Sequence, residues 1–427
     1  MSLSTINTGL GFINTINAHI ALASTKWCTI LHKTAAKLVH KRRFFFLLGS
    51  LSTLLLSSTL FFHNLKNKLL LTRNKKALRD RRKAFTRSLY KIELHCHLTG
   101  SLRLSTLNEL LKSHNLPPYT PPPTLTLKSC FTAFPHIHSA IKTVQNLSRV
   151  TFECLADLSY ANVIYAEIRT TPRALLNSTK SEYIETVLSC FSEWSLGDSK
   201  LLPRLIISVD RSKPVSEAYE NVKIAVEKFN HPSNKCLVGI DLGGDPTKGS
   251  FIDFLPVLTL ARTSGLKITV HCGEIINPSE IDEILNFRPD RLGHFLTCTD
   301  EQFERARDNE IPIEVCPTSN LLTLGLNSDS VSLKTRHGTL RKCIETAASF
   351  SISTDDPGLF RTNPVRELWS VSKAFELDEW RIAGVVWDMV DQVFEGNRKT
   401  RAYLARDVRV RIKKMLRVLE EEGGTEK

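Results

Sequence analysis

The chain has 427 residues with 57 Lys+Arg against 44 Asp+Glu, a formal charge of +13. Residues 1–90 hold 16 of those bases and a single acid, Asp80, so the remaining body is close to neutral and gives no support to a nucleic-acid footprint. Ten scattered cysteines with no CxxC pair argue against a cysteine zinc cluster and a disulfide framework, and suit a reducing compartment.

Residues 1–43 contain no Asp or Glu and many Ser, Thr, Lys and Arg, a composition like that of a transit peptide. Residues 44–62, FFFLLGSLSTLLLSSTLFF, carry no charge and are long enough to span a bilayer, although serines and threonines interrupt them. Basic residues flank both ends, so charge bias assigns no orientation. The reading is a basic N-terminal extension over 1–90. Its apolar segment 44–62 is a membrane anchor or targeting signal, or part of a dispensable leader, and 66–90 is a linker.

The body, 91–420, starts with KIELHCHLTGSLR at 91–103. Apolar Ile92, Leu94, Cys96 and Leu98 alternate with Glu93, His95, His97 and Thr99, the period of a strand. His95 and His97 therefore share a face at a strand end, where two imidazoles can grip one metal ion. Seven further short apolar runs follow: Val163–Thr170, Arg204–Asp210, Leu237–Leu242, Lys267–His271, Arg291–Leu296, Pro312–Cys316 and Phe350–Thr354. Several are continuously apolar, as in strands buried on both faces.

Helical stretches separate the runs. Thr299 to Gln302 has the pattern of a capping box, and Ser279 is a candidate cap for a helix carrying Ile281, Ile284 and Leu285. Leu116–His138 holds PPYTPPP, whose prolines predict an extended lid over the barrel mouth. Pro364–Lys414 reads as amphipathic helices, and Glu420–Lys427 as a disordered charged tail. Eight strand–helix units predict an α/β protein, a (β/α)8 TIM barrel.

Catalytic groups of such a barrel gather at the C-terminal strand ends. His95 and His97 end the first run, His271 to Glu274 (HCGE) the fifth, His294 lies in the sixth, and Asp355-Asp356 end the eighth. Three imidazoles and one carboxylate (His95, His97, His271 and Asp355) suit zinc and leave a position for a water made more acidic by the ion. Glu274 lies within reach without being a ligand and suits proton transfer. His294 can act on the water, and Asp356 can bond a substrate amine or ring nitrogen.

With those residues in view, the stretches ELHCHLTGS, EIRTTPR, GIDLGGDP, VHCGE, RLGH, CPTSN and STDDPG stand in the order found in the adenosine/AMP deaminase family, which the chain resembles over about 90–360. The resemblance implies hydrolytic deamination at purine C6. It implies one zinc ion on His95, His97, His271 and Asp355, Glu274 as proton donor to ring N1, and His294 orienting or deprotonating the water. Asp356 and the Gly244 backbone N–H would contact the ring.

Thr99 stands where adenosine deaminases proper usually carry a sugar-binding Asp, and where the adenosine deaminase-like branch, which acts on N6-methyl-AMP, usually carries Asn. Thr170, Thr171, Pro172 and Arg173 (TTPR) resemble that branch, and Arg173 offers a fork suited to phosphate. Asp210, His97 and His138 also fall where the branch has substrate contacts. The expected function is therefore zinc-dependent conversion of N6-methyl-AMP to IMP and methylamine. The first alternative is an adenosine deaminase making inosine and ammonia. The second is a non-catalytic, membrane-tethered nucleotide-binding protein. The expected ligand is a small purine nucleotide or nucleoside, with a catalytic domain in the cytoplasm and membrane contact limited to 44–62.

Overall fold

The computed structural model describes residues 76–232 and 234–424. The chain divides into two compact units, Met1–Arg79 and Asp80–Lys427. The expected apolar segment 44–62 lies outside the described residues. Among the described residues, no helix is long and apolar enough to cross a membrane.

The second unit is built on eight parallel strands: β1 (Lys91–His97), β2 (Val163–Thr170), β3 (Leu202–Asp210), β4 (Leu237–Gly243), β5 (Lys267–Cys272), β6 (Arg291–His294), β7 (Ile313–Val315) and β8 (Phe350–Ile352). They hydrogen-bond in chain order. The ring closes just beyond β8, where the Asp355 N–H donates to the His95 carbonyl and the His97 N–H to the Asp355 carbonyl, each at 2.8 Å. This is the (β/α)8 barrel. Helices follow the strands because apolar residues recur there at helical spacing; Ile281, Ile284 and Leu285 are buried on one face of helix Pro278–Phe287.

The barrel interior is not the usual packing of branched aliphatics. Glu93, Glu167, Arg169, Asp241, Arg291 and Glu314 are all fully buried. An unpaired charge there would cost several kcal/mol, so each needs a partner. Arg291 bonds Glu314 at 2.6 Å and also reaches Glu167. Arg169 bonds Glu314 at 2.9 Å and Asp241 at 3.2 Å. This raft forms the floor beneath the strand ends.

Four local expectations are corrected. Part of the expected linker, residues 76–88, is helical; Phe85 and Leu89 are buried in the main core, and Arg81 pairs with Glu379 at 3.0 Å. The expected extended lid contains helices Leu127–Phe131 and Phe134–Ala140, because the prolines cluster before residue 124 and Pro135 occupies a first-turn position that tolerates it. Asn277, not Ser279, caps helix Pro278–Phe287, accepting from the Glu280 N–H. The last helix continues to Gly424, past the predicted start of the tail. The Thr299–Gln302 capping box forms as expected.

Candidate active site

His95 and His97 share the inward face of β1, and their rings lie within 5.3 Å of each other. His271, at the end of β5, brings its Nε2 to 3.3 Å from His97 Nε2. Asp355 Oδ1 lies 3.6 Å from His95 Nε2 and 3.4 Å from His97 Nε2. Asp355 Oδ1 thus stands near the Nε2 atoms of both β1 histidines.

Three of these four residues are aimed from behind. Glu314 of β7 takes the other nitrogen of His95 at 2.7 Å. Asp241 of β4 takes that of His271 at 2.9 Å, and Ser319 donates to Asp355 Oδ2 at 2.5 Å. Such outer bonds fix ring orientation and tautomer, leaving the Nε2 atoms to face the centre. His95 Nε2 is buried without a hydrogen-bond partner, which is how a nitrogen kept for a metal ion should look. The His/Asp cluster fits a metal site.

His294 arrives by a different route. Arg291 and Gly293 point into the barrel, so strict alternation would turn His294 outward. Instead His294 and Phe295 take left-handed backbone angles, φ 62° and 54°, and the His294 ring lies 4.8 Å from that of His95. Gly293 permits the approach: a Cβ there would sit 3.2 Å from the His95 ring. Asp355 is also left-handed, φ 65°. Such non-glycine backbone costs of order 1–3 kcal/mol each and is held only where surrounding contacts enforce it.

His294, His95, His271 and Asp355 also form a compact group, each offering an atom within 4.8 Å of the others. The hydrogen bonds separate His294 from the rest. Asn320 Oδ1 accepts from the Cys316 N–H and from His337 Nε2. Its amide NH2 therefore faces His294 Nδ1, at 2.8 Å. With Nδ1 accepting, His294 carries its proton on Nε2, as a donor towards the cavity. Burial holds its pKa well below the usual histidine value.

A cavity of about 360 Å³ opens over these groups, a size typical of small-molecule sites. Its lining includes every predicted site residue except His95, which lies beneath: His97, Thr99, His138, Thr170, Thr171, Pro172, Arg173, Asp210, Gly244, His271, Glu274, His294, Asp355 and Asp356. Glu274 Oε1 is 3.8 Å from His294 Nε2, and burial raises its pKa to about 7. Burial and the neighbouring Asp355 raise Asp356 well above the carboxylate range, and its Oδ1 is buried without a partner.

At the far end, Arg173 Nη2 donates to the Ile141 carbonyl at 2.8 Å while Nη1 is unpartnered. Asp210 accepts from the Ser212 N–H and hydroxyl. Gly244 has φ 96°, and a Cβ there would lie 2.3 Å from Asp210 Oδ1, so only glycine brings that backbone up to the cavity. The Thr170 hydroxyl is already engaged with Tyr183, at 2.8 Å.

The adenosine deaminase sequence profile matches residues 90–406. The chain belongs to the adenosine deaminase family. It is 34% identical over 326 residues to an adenosine deaminase-like protein of Drosophila pseudoobscura pseudoobscura, covering 74% of this chain and 94% of that one. It is 31% identical over 339 residues to an N6-mAMP deaminase of Arabidopsis thaliana, covering 72% and 93%. Arabidopsis ADAL complexed with IMP superposes with a TM-score of 0.68 at 29% identity, covering 77% of this chain and 97% of that one.

Within this deaminase site, several residues escaped the sequence reading. Asp241, Glu314, Arg169, Ser319, Asn320 and His337 support the cavity residues from behind, and Lys213 lines the cavity beside Arg173. Glu314 left a signal: a charge in the buried run IPIEVC must have a partner. The His337–Asn320–His294 relay left none, because it depends on a contact between segments distant in sequence.

Proposed function

We propose that this chain converts N6-methyl-AMP to IMP and methylamine in nucleotide metabolism, as a zinc-dependent aminohydrolase. The observation that carries the reading is one cavity with two chemically different ends. Proton-transfer groups and a metal-type cluster lie at one end. Arg173, with an unpartnered Nη1, and Lys213 lie at the other. A nucleoside monophosphate has the matching polarity, and of the two Arabidopsis relatives one is named for such a substrate and the other holds such a ligand.

His95, His97, His271 and Asp355 would hold the zinc ion, which acidifies a water and stabilises developing negative charge. His294 is assigned beside the ion because its Nε2–H is a donor that can hold the attacking oxygen. Glu274 gives a proton to ring N1 as that oxygen bonds to C6. The C6–N6 bond then breaks; the proton on N1 stays in the product lactam, one proton of the water leaves on methylamine, and the other restores the Glu274 carboxyl. Asp356 and the Gly244 N–H orient the purine. Thr99 and Asp210 stand along the sugar, and His138 and Thr170 to Arg173 along the phosphate.

The catalytic domain is assigned to 91–420, after a basic extension over 1–90 with a targeting or membrane role for 44–62. A cytoplasmic setting suits the free thiols of the described cysteines. The test is turnover of N6-methyl-AMP, AMP and adenosine side by side. Arg173→Ala is expected to lower kcat/KM for the monophosphates by about 10- to 100-fold, in line with loss of a charge-assisted bond, and to leave adenosine unchanged. A wild type that turns over adenosine alone, indifferent to Arg173, overturns the reading in favour of an adenosine deaminase.

A further inference from the structure

The two short lid helices cover different ends of the cavity. On helix Phe134–Ala140, the charges that act on the His138 imidazole are Arg173, Asp210 and Lys213, which belong to the sugar and phosphate part of the cavity. On helix Leu127–Phe131, the charges that act on the Cys130 thiol are Asp356, Asp355 and Glu274, all at the reacting end. Cys130 is 5% exposed and lines the cavity with these carboxylates. Leu127, Thr323 and Phe360 line the same cavity.

Hydrolysis at C6 fixes what must lie there. The carbon under attack faces the metal-type cluster, ring N1 faces Glu274, and the departing nitrogen is bonded to that carbon. Any group carried on N6 therefore lies at the reacting end, under the first lid helix. A buried thiol packs as a small hydrophobe, and it is short beside the Leu127 and Phe131 side chains of the same helix.

We propose that Cys130 is the residue that sets the size of N6 substituent this enzyme accepts. Its short side chain leaves room for an alkylamine where a longer one would leave room only for the unsubstituted amine. The proposal rests on the C6 aminohydrolase reading above. Phe131 and Leu127 keep the roof apolar, so the room is suited to a methyl group rather than to a charged one.

The experiment measures kcat/KM of the full chain, wild type and variants, on AMP, N6-methyl-AMP and N6-ethyl-AMP. Cys130→Leu and Cys130→Phe are expected to lower the N6-methyl-AMP to AMP ratio by about 10- to 100-fold, the discrimination typical of one methyl group in an apolar pocket. Cys130→Ala is expected to raise turnover of N6-ethyl-AMP relative to N6-methyl-AMP. That variant adds no atoms, so it decides the matter if the larger ones misfold. Ratios within about twofold of wild type in Cys130→Ala and in either folded larger variant overturn the proposal. A wild type inactive on AMP and N6-methyl-AMP alike overturns instead the C6 reading on which it rests.

Discussion

At the scale of single residues, the site is governed by which groups face the centre and which face away. Glu274 is the clearest case. Its pKa of about 7 means it is largely protonated below neutrality and loses the proton as pH rises through that value. As the donor to N1 it is active in the protonated form, so kcat/KM is expected to fall on the alkaline side of about 7. Glu274→Gln is expected to lower kcat by about 10²- to 10⁴-fold and to abolish that limb, as read from pH–rate profiles of both proteins. Behind the centre, Asp241 accepts from His271, Ser208 and Arg169 together. Asp241→Asn offers an amide NH2 in place of one acceptor and disturbs the ring it aims. Metal affinity is expected to fall by about 10- to 100-fold, measured by competition with a chromophoric chelator. His95, His97, His271, His294 and Asp355 were legible because they stand at strand ends, whereas Lys213 and Cys130, which also line the cavity, were not. The residues behind them were not, because strands read as apolar runs conceal the charges that alternate into the barrel.

At the scale of elements, local chemistry fixes boundaries that periodicity alone leaves loose. All eight strands were readable from short β-branched runs, while β6 and β8 end earlier than expected. Both stop where a left-handed residue, His294, or the approach to one, Asp355, turns the chain. The cap at residue 277 shows the same effect. Pro278 takes the first helical position because its missing N–H costs nothing there, which moves the cap two residues upstream, from 279 to 277. Asn277→Ala is therefore expected to lower stability by about 1 kcal/mol, and Ser279→Ala by clearly less, in urea denaturation. The lid followed a similar logic: its prolines forbid helix only where they stand. Leu404, Val408, Ile412 and Leu416 recur every fourth residue and are buried, which carries the final helix along the body.

At the scale of the whole molecule, residues 80–89 belong with the barrel in their packing. Phe85 and Leu89 join the main core, and Arg81 and Arg82 reach Glu379. A chain beginning at residue 91 is expected to melt several degrees below one beginning at 76, as followed by circular dichroism. The sequence divides at the change in charge, whereas the core extends past it. Charge marks solvent-facing composition, and burial of two apolar side chains is what ties that segment to the rest.

The closure of the barrel has a consequence for how the molecule ripens. The seam between first and last strands is sewn by residues far apart in the chain: Thr354 donates to Glu93 across 261 positions, and Asp355 exchanges backbone bonds with His95 and His97. Contacts of such long range form late, after most of the loop entropy has been lost. The same three residues carry donors proposed for the ion. Chemistry and ring closure thus mature in one event: a chain whose circle is still open has no assembled centre, and an ion held there would act as the clasp on the ring.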